Sequence, residues 1–391
     1  MALADRLLKI EEPQTIKMAK LSRELRAQGE DIIDLSLGEP DFATPAYIVD
    51  AAVQAMKDGY TKYPPVAGFP ELRQAIVDKF KRDNHLEYKT DEVMVGTGAK
   101  QCIANAVLSI INEGDEVIIP APFWVTYSDI VKLADGTIIQ VNGTFDNDFK
   151  ISATQLENAI TSKTKLFIFS SPCNPTGSIY SKEELEALAA VFVKHPNIYI
   201  ISDEIYEYIN FIGKHESIAQ FPALKDRVIV INGLSKGYAM TGWRLGFMAG
   251  PKDVIQASEK IQSQFTSGPN SITQRAAITA LNTPTDTIAT MRAAFKDRRD
   301  FLVEALRNIK GLQVNNPPGA FYVFPDVSAF LGKDNIHTAE ELCMYLLKTA
   351  KVSCVTGDAF GDPHCIRISY ATSLDKLKEA VIRIKGALEI L

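Results

Sequence analysis

The sequence predicts an α/β protein with a large domain, built on a mostly parallel seven-stranded sheet, and a smaller α+β domain. Three observations carry this expectation. Short apolar, β-branched runs alternate with helix-like stretches through the middle of the chain, which is the pattern of a doubly wound sheet. Near residue 290 the alternation gives way to a charged helix and isolated strands. The length of 391 residues, at roughly 150 residues per domain, favours two domains.

Taken in order, residues 1–45 precede the alternation and are expected to form an arm and join the smaller domain. Residues 46–289 are expected to form the large domain and 290–391 the smaller one. Strands are predicted at 92–95, 116–120, 137–141, 166–170, 198–202, 228–231 and 245–248. Helices are predicted between them at 100–111, 127–133 and 181–193. The last opens on Ser181 followed by Glu184, a capping-box pair. The link between the sixth and seventh strands holds Gly233, Gly237 and Gly242 and is too short for a crossover helix, so that pair is expected to be antiparallel. Beyond residue 290 the pattern gives a helix at 291–308, a strand at 320–324, a helix at 338–350, a strand at 365–369 and a final helix at 374–390.

Composition narrows the classes of function. Hydrophobic residues are 46% and charged residues 23% of the chain, as in average soluble proteins, which excludes disorder, a disulfide-stapled miniprotein and a fibre. Lys+Arg 42 against Asp+Glu 48 leaves a net charge of −6, with no basic excess to attract nucleic acid or an anionic membrane. No apolar run approaches the roughly 20 residues that cross a bilayer. The first residues mix acids and bases, unlike a secretory leader. Five cysteines without CxxC spacing fit reduced thiols and a cytoplasmic location. The histidines (His85, His195, His215, His337 and His364) lack metal-ligand spacing, so no metal is expected. His215 and His364 fall in loop-like stretches and are read as solvated.

In open α/β sheets, ligands gather beyond the carboxyl ends of the strands. The residues there are Gly96-Thr97-Gly98-Ala99-Lys100, Ala121-Pro122-Phe123-Trp124, Ser171-Pro172-Cys173-Asn174-Pro175-Thr176-Gly177, Asp203-Glu204-Ile205-Tyr206 and Asn232-Gly233-Leu234-Ser235-Lys236. Each type suits one cofactor, pyridoxal 5′-phosphate. A lysine amine can hold its aldehyde, and a carboxylate can keep its pyridine nitrogen protonated. A flat aromatic can stack on the ring. A glycine-bearing helix N-terminus can receive the phosphate, with an arginine fork and a serine hydroxyl completing the cup.

The string from Ser235-Lys236 through Met240-Thr241-Gly242-Trp243-Arg244-Leu245-Gly246 resembles the lysine signature of class I aminotransferases of fold type I. The Asn174 and Asp203 stretches resemble that family's asparagine and pyridine-nitrogen motifs, and Cys365-Ile366-Arg367-Ile368-Ser369 its substrate-carboxylate motif. The likeness starts at Leu37-Gly38-Glu39-Pro40-Asp41-Phe42 and is greatest to the bacterial-type aspartate aminotransferase branch. It implies that Lys236 attaches the cofactor and shuttles the substrate proton, and that Asp203 bonds the pyridinium. Tyr206 and Asn174 would bond the phenolic oxygen. Trp124 would stack on the ring and border the substrate. Gly98, Ala99 and Lys100 would supply phosphate-binding amides, joined by Ser235 and Arg244. Arg367 would clamp the substrate α-carboxylate and, with Asn174, orient it, with Gly38 opposite, while Lys100 and Thr15 would receive a distal carboxylate. Tyr63 would reach the phosphate of a partner subunit, implying a homodimer with shared active sites. Arg292, with Lys296, Arg298 and Arg299, is read as a solvated helix face. Cys173 stands where many relatives carry another polar residue.

The implied reaction moves an amino group from an L-amino acid, with aspartate favoured, to a 2-oxo acid, with 2-oxoglutarate favoured, by ping-pong steps. Aromatic, kynurenine or prephenate aminotransferases and lyases on the same fold share these motifs. A nicotinamide-dependent oxidoreductase fits less well, because the Gly96 loop lacks GxGxxG spacing. A non-catalytic regulator would bring a DNA-binding extension, and none is apparent.

Overall fold

The computed structural model describes residues 3–283 and 286–391. A short strand, β1 (Ile33–Asp34), precedes the alternating segment. That segment yields β2 (Val93–Gly96), β3 (Glu116–Ala121), β4 (Thr137–Asn142), β5 (Thr164–Ser170), β6 (Tyr199–Asp203), β7 (Val228–Gly233) and β8 (Gly246–Ala249). They form one sheet in the order β2-β8-β7-β6-β5-β3-β4. Strands β3 to β7 pair in parallel, while β8 runs antiparallel to both β7 and β2. The glycine-rich link therefore turns the chain back as expected.

Burial explains why these strands read as continuous apolar runs. Every residue of β2, β7 and β8 is buried, as in a sheet covered on both faces. Phe167 packs into one apolar cluster with Leu188 and Phe192, whereas its neighbour Ile168 packs into another with Ile103 and Val131. Edge strand β4 is partly exposed throughout and carries Gln140 and Asn142. The helix Lys182–Lys194 starts at the expected capping box: Ser181 Oγ accepts the Glu184 N–H, and the Ser181 N–H donates to Glu184 Oε2 at 2.7 Å.

The C-terminal part adds β9 (Tyr322–Val323), β10 (Val352–Ser353), β11 (Val355–Thr356) and β12 (Ile366–Ser369). β12 lies between β11 and β9 in an antiparallel sheet, and β10 pairs in parallel with β1. The expected strand at 320–324 shrinks to two paired residues, because Ala320 has a left-handed φ of 56°. The helices Asp286–Arg307 and Leu374–Leu388 pack here around Leu302, Phe321, Ile368 and Ile384.

One expectation for this part is corrected. Arg292 and Lys296 are exposed, but Arg298 and Arg299 are not on a solvated face. Arg298 grips both oxygens of Asp41 at 2.7 and 3.0 Å, and buried Arg299 donates to the Pro317 carbonyl at 2.7 Å. The helix turns these two guanidiniums inward because the incoming Gly38–Asp41 segment supplies a counter-charge and the 317 region a free carbonyl.

Candidate active site

The carboxyl ends of β5, β6 and β7 open into a cleft of about 270 Å³. Strand β5 delivers Asn174, β6 delivers Asp203 and Tyr206, and β7 delivers Ser235 and Lys236 to its wall. The first turn of the helix Ala99–Ile110 adds Ala99 and Lys100, and the loop after β3 adds Trp124. Arg244 arrives just ahead of β8. Gly38, Thr15 and Arg367 come from opposite ends of the sequence.

Two ionisable groups at the centre are displaced from their ordinary ranges. Burial pushes the Lys236 amine down to about 8; Glu39 opposes this, while the Arg367 and Arg244 guanidiniums add to it. In this state Lys236 Nζ donates to the Gly38 carbonyl. Burial pushes the Asp203 carboxyl up to about 6, against hydrogen bonds from Tyr127 and Ile205. The Tyr127 hydroxyl donates to Asp203 Oδ2 at 2.6 Å and the Ile205 N–H to Oδ1 at 3.2 Å, and both donors are neutral. A protonated pyridine nitrogen would give this carboxylate the positive partner that its hydrogen bonds lack.

Two places in the cleft suit anions. Gly98 precedes the helix Ala99–Ile110 with φ 85°, and a Cβ there would sit 2.6 Å from Arg244 Nη2. The glycine thus lets the guanidinium lie against a helix N-terminus whose first amides have no intrahelical partner. Gly246 fits the same junction, since a Cβ there would meet the Ala99 nitrogen at 2.2 Å. Ser235 lines the same cleft, and this donor set fits a phosphate. The second place is Arg367, which is 2% exposed. Its Nη1 donates to Asn174 Oδ1 at 2.9 Å and its Nη2 to the Ser36 carbonyl at 2.5 Å, while Nε has no partner. A buried guanidinium with an unsatisfied N–H accepts a carboxylate.

Lys100 Nζ lies 5.0 Å above the Trp124 ring, and burial, reinforced by Arg244, pushes its amine below the usual range. Trp124 meets Tyr127 edge-on at 5.4 Å. Cys173 donates a weak bond to the Pro122 carbonyl at 3.6 Å and leaves Asn174 in place. Within one chain Tyr63 stays away from the cleft: it is 96% exposed.

Sequence reasoning missed Tyr127 and Tyr322, both on the cleft wall. Tyr127 follows Trp124 by three residues, so a helix starting there could have signalled it. Tyr322 sits in a two-residue strand with no motif around it. The reading of His215 as solvated is corrected. Its ring is buried and Nε2 lies 2.9 Å from Glu204 Oε2. Burial alone would depress the imidazole pKa, but the Glu204 carboxylate outweighs it and raises the value. Among the described residues, Glu204, Glu207 and His215 bring ligand-type atoms within 4.8 Å of one another. The buried Lys79 ammonium already pairs with Glu207 there and donates to Asn84 Oδ1 at 2.7 Å.

Comparison with known proteins agrees with this geometry. The family model for aminotransferase class I and II matches residues 30–384. The chain is 48% identical over 384 residues to the aspartate aminotransferase of Bacillus sp. (strain YM-2), covering 98% of each. It is also 48% identical over 391 residues to the aspartate/prephenate aminotransferase of Cereibacter sphaeroides, again covering 98% of each. Among solved structures, the aspartate aminotransferase from Thermus thermophilus with maleate matches with a TM-score of 0.95 at 38% identity, over 99% of this chain and 100% of that one.

Proposed function

Because the chain belongs to the class I and II aminotransferases, and is thus a pyridoxal-phosphate-dependent enzyme acting on amino acids and 2-oxo acids, we propose that aspartate and 2-oxoglutarate are its preferred pair. The observation that carries this preference is a count of charges. Besides Lys236, which the cofactor would occupy, the cleft holds three cations, Arg244, Arg367 and Lys100. Arg244 serves the phosphate and Arg367 the α-carboxylate, which leaves Lys100, near Thr15, for a side-chain carboxylate. A dicarboxylate would restore to Lys100 the stability that burial removes.

When bound, pyridoxal phosphate supplies an aldehyde that condenses with amines and a ring that accepts charge from the substrate Cα. The protein's own groups then divide the work. Arg367 holds the α-carboxylate through parallel N–H bonds, its fork fixed by Asn174 and the Ser36 carbonyl. Lys236, whose burial favours the neutral amine, would carry the substrate Cα proton on its Nζ. Asp203 holds the proton on the ring nitrogen, and Tyr127 holds Asp203. Tyr206, on the same wall, would donate its Oη proton to the phenolic oxygen of the cofactor. Trp124, on the cleft wall, would stack on the cofactor ring and help orient the substrate. A second oxo acid uses the same Arg367 clamp, so the two half-reactions alternate.

We further propose a homodimer in which exposed Tyr63 completes the phosphate cup of the other copy. Among the described residues no helix is long and apolar enough to cross a membrane, and the five free cysteines support a reducing, cytoplasmic setting. Prephenate as an acceptor is a second reading, supported by the name of the Cereibacter sphaeroides relative. A transamination panel on purified enzyme decides between them, with borohydride trapping and peptide mapping to locate the attachment. Aspartate should lead the panel, and Lys100→Ala should raise its KM roughly tenfold while sparing aromatic donors. A panel led by aromatic donors, or a label on another lysine, would refute the assignment.

A further inference from the structure

Tyr322 lies on the cleft wall, outside every motif that identifies the family. Its hydroxyl is 2.7 Å from that of Tyr206, and the two side chains are 0% and 4% exposed. A phenol carries one proton. If Tyr206 gives its proton to the phenolic oxygen of the cofactor, the short contact between the two tyrosines needs Tyr322 as its donor.

The placement of Tyr322 is built from several directions. On β9 it pairs with Ser369 of β12, two residues beyond Arg367 and on the same face. The Arg367 guanidinium therefore lies 4.5 Å over the Tyr322 ring. Gly38 closes from the other side, where a Cβ would meet Tyr322 Oη at 2.3 Å. Burial holds both phenols protonated, with Arg367 opposing it at each.

We infer that Tyr322 is a positioning residue that donates to Tyr206 Oη and so strengthens the hydrogen bond Tyr206 gives to the cofactor; this rests on the role proposed above for Tyr206. A hydroxyl that accepts a hydrogen bond becomes a better donor through its own proton. The relay thus runs from Tyr322 to Tyr206 to the cofactor oxygen and lowers the pH at which the bound chromophore ionises.

The test titrates the visible absorption of full-length holoenzyme against pH, a readout independent of turnover. Tyr206→Phe should raise the pKa of the band, and if it does not, the role of Tyr206 falls and the inference with it. Tyr322→Phe should raise the pKa by a smaller amount, roughly half a unit, in the wild-type background. In the Tyr206→Phe background it should add nothing. Replacing Tyr322 with 3-fluorotyrosine, a stronger acid of nearly the same shape, should lower the pKa instead and carries the test should the phenylalanine variant not fold. A band unmoved by both changes at 322, or an equal shift from Tyr322→Phe in both backgrounds, would overturn the inference.

Discussion

Asp203 and Glu204 are neighbours in the chain and are 4% and 1% exposed, yet they sit in opposite electrostatic situations. Glu204 is fully partnered from within. Its Oε1 accepts the Ser202 and Ser217 hydroxyls at 2.9 and 2.6 Å, and its Oε2 lies 2.9 Å from the His215 ring. Asp203 has only the neutral donors Tyr127 and Ile205, and its carboxyl is pushed up to about 6. A buried carboxylate with an internal cation is scaffold, whereas one left without a cation and facing a cleft is an unfilled requirement for a ligand. Alternation along the end of β6 sends the two to different sides of the same sheet edge.

The largest break in this comparison is expected at the group that faces Asp203 across the cleft. Lys236→Ala should cut turnover by roughly 10⁴-fold or more, because it removes both the attachment and the proton carrier. Single-turnover kinetics check this, and added small amines should restore part of the rate. Retention of near-normal turnover would remove Lys236 from the mechanism. Asp203→Asn should follow, with kcat/KM lower by roughly 10²–10³-fold and cofactor affinity reduced. The contrast is with Glu204→Gln. That change should leave kcat/KM unchanged but cost about 3 kcal/mol in urea unfolding, since it strands a buried histidine without its anion. If Glu204→Gln instead impaired catalysis as strongly as Asp203→Asn, the division between ligand-facing and scaffold-facing carboxylates would be wrong.

The ligand-facing side was largely legible in the sequence and the scaffold side was not. Lys236, Asp203, Asn174 and Lys100 follow predicted strands or open a predicted helix, so local pattern and strand-end logic locate them together. Arg367 was reached only through its resemblance to a family motif. Tyr322 and His215 depend on packing between distant segments. Tyr322 takes its position from a two-residue strand registered against β12, and strands that short leave no periodic signal. His215 lies in an irregular stretch whose character is set by Glu204, and by Lys79 and Asn84 more than a hundred residues earlier in the chain. The same reason hid the pairing of β1 with β10, which joins Ile33 to Val352. Arg298 shows the converse error: a charged helical face reads as solvated until a remote Asp41 closes on it.

The smallest effect sharpens the scaffold side by its pH dependence. His215 faces Glu204 directly, with Glu207 also raising its pKa and Lys79 opposing, after burial has acted in the depressing direction. The net shift is upward, so the folded protein binds this proton more tightly than the unfolded chain does. The stabilisation is therefore complete below the ordinary histidine pKa of about 6.5 and is lost as pH rises through the folded value. Thermal unfolding measured from pH 6 to pH 9 should show a melting temperature falling by roughly a degree or two more in the wild type than in His215→Gln, which carries no titrating proton. Chromophore spectra should be the same in both, because the Asp203 side is untouched. Parallel melting curves across that range would mean that His215 sits neutral beside Glu204, and that the cluster balances its charge through Lys79 alone.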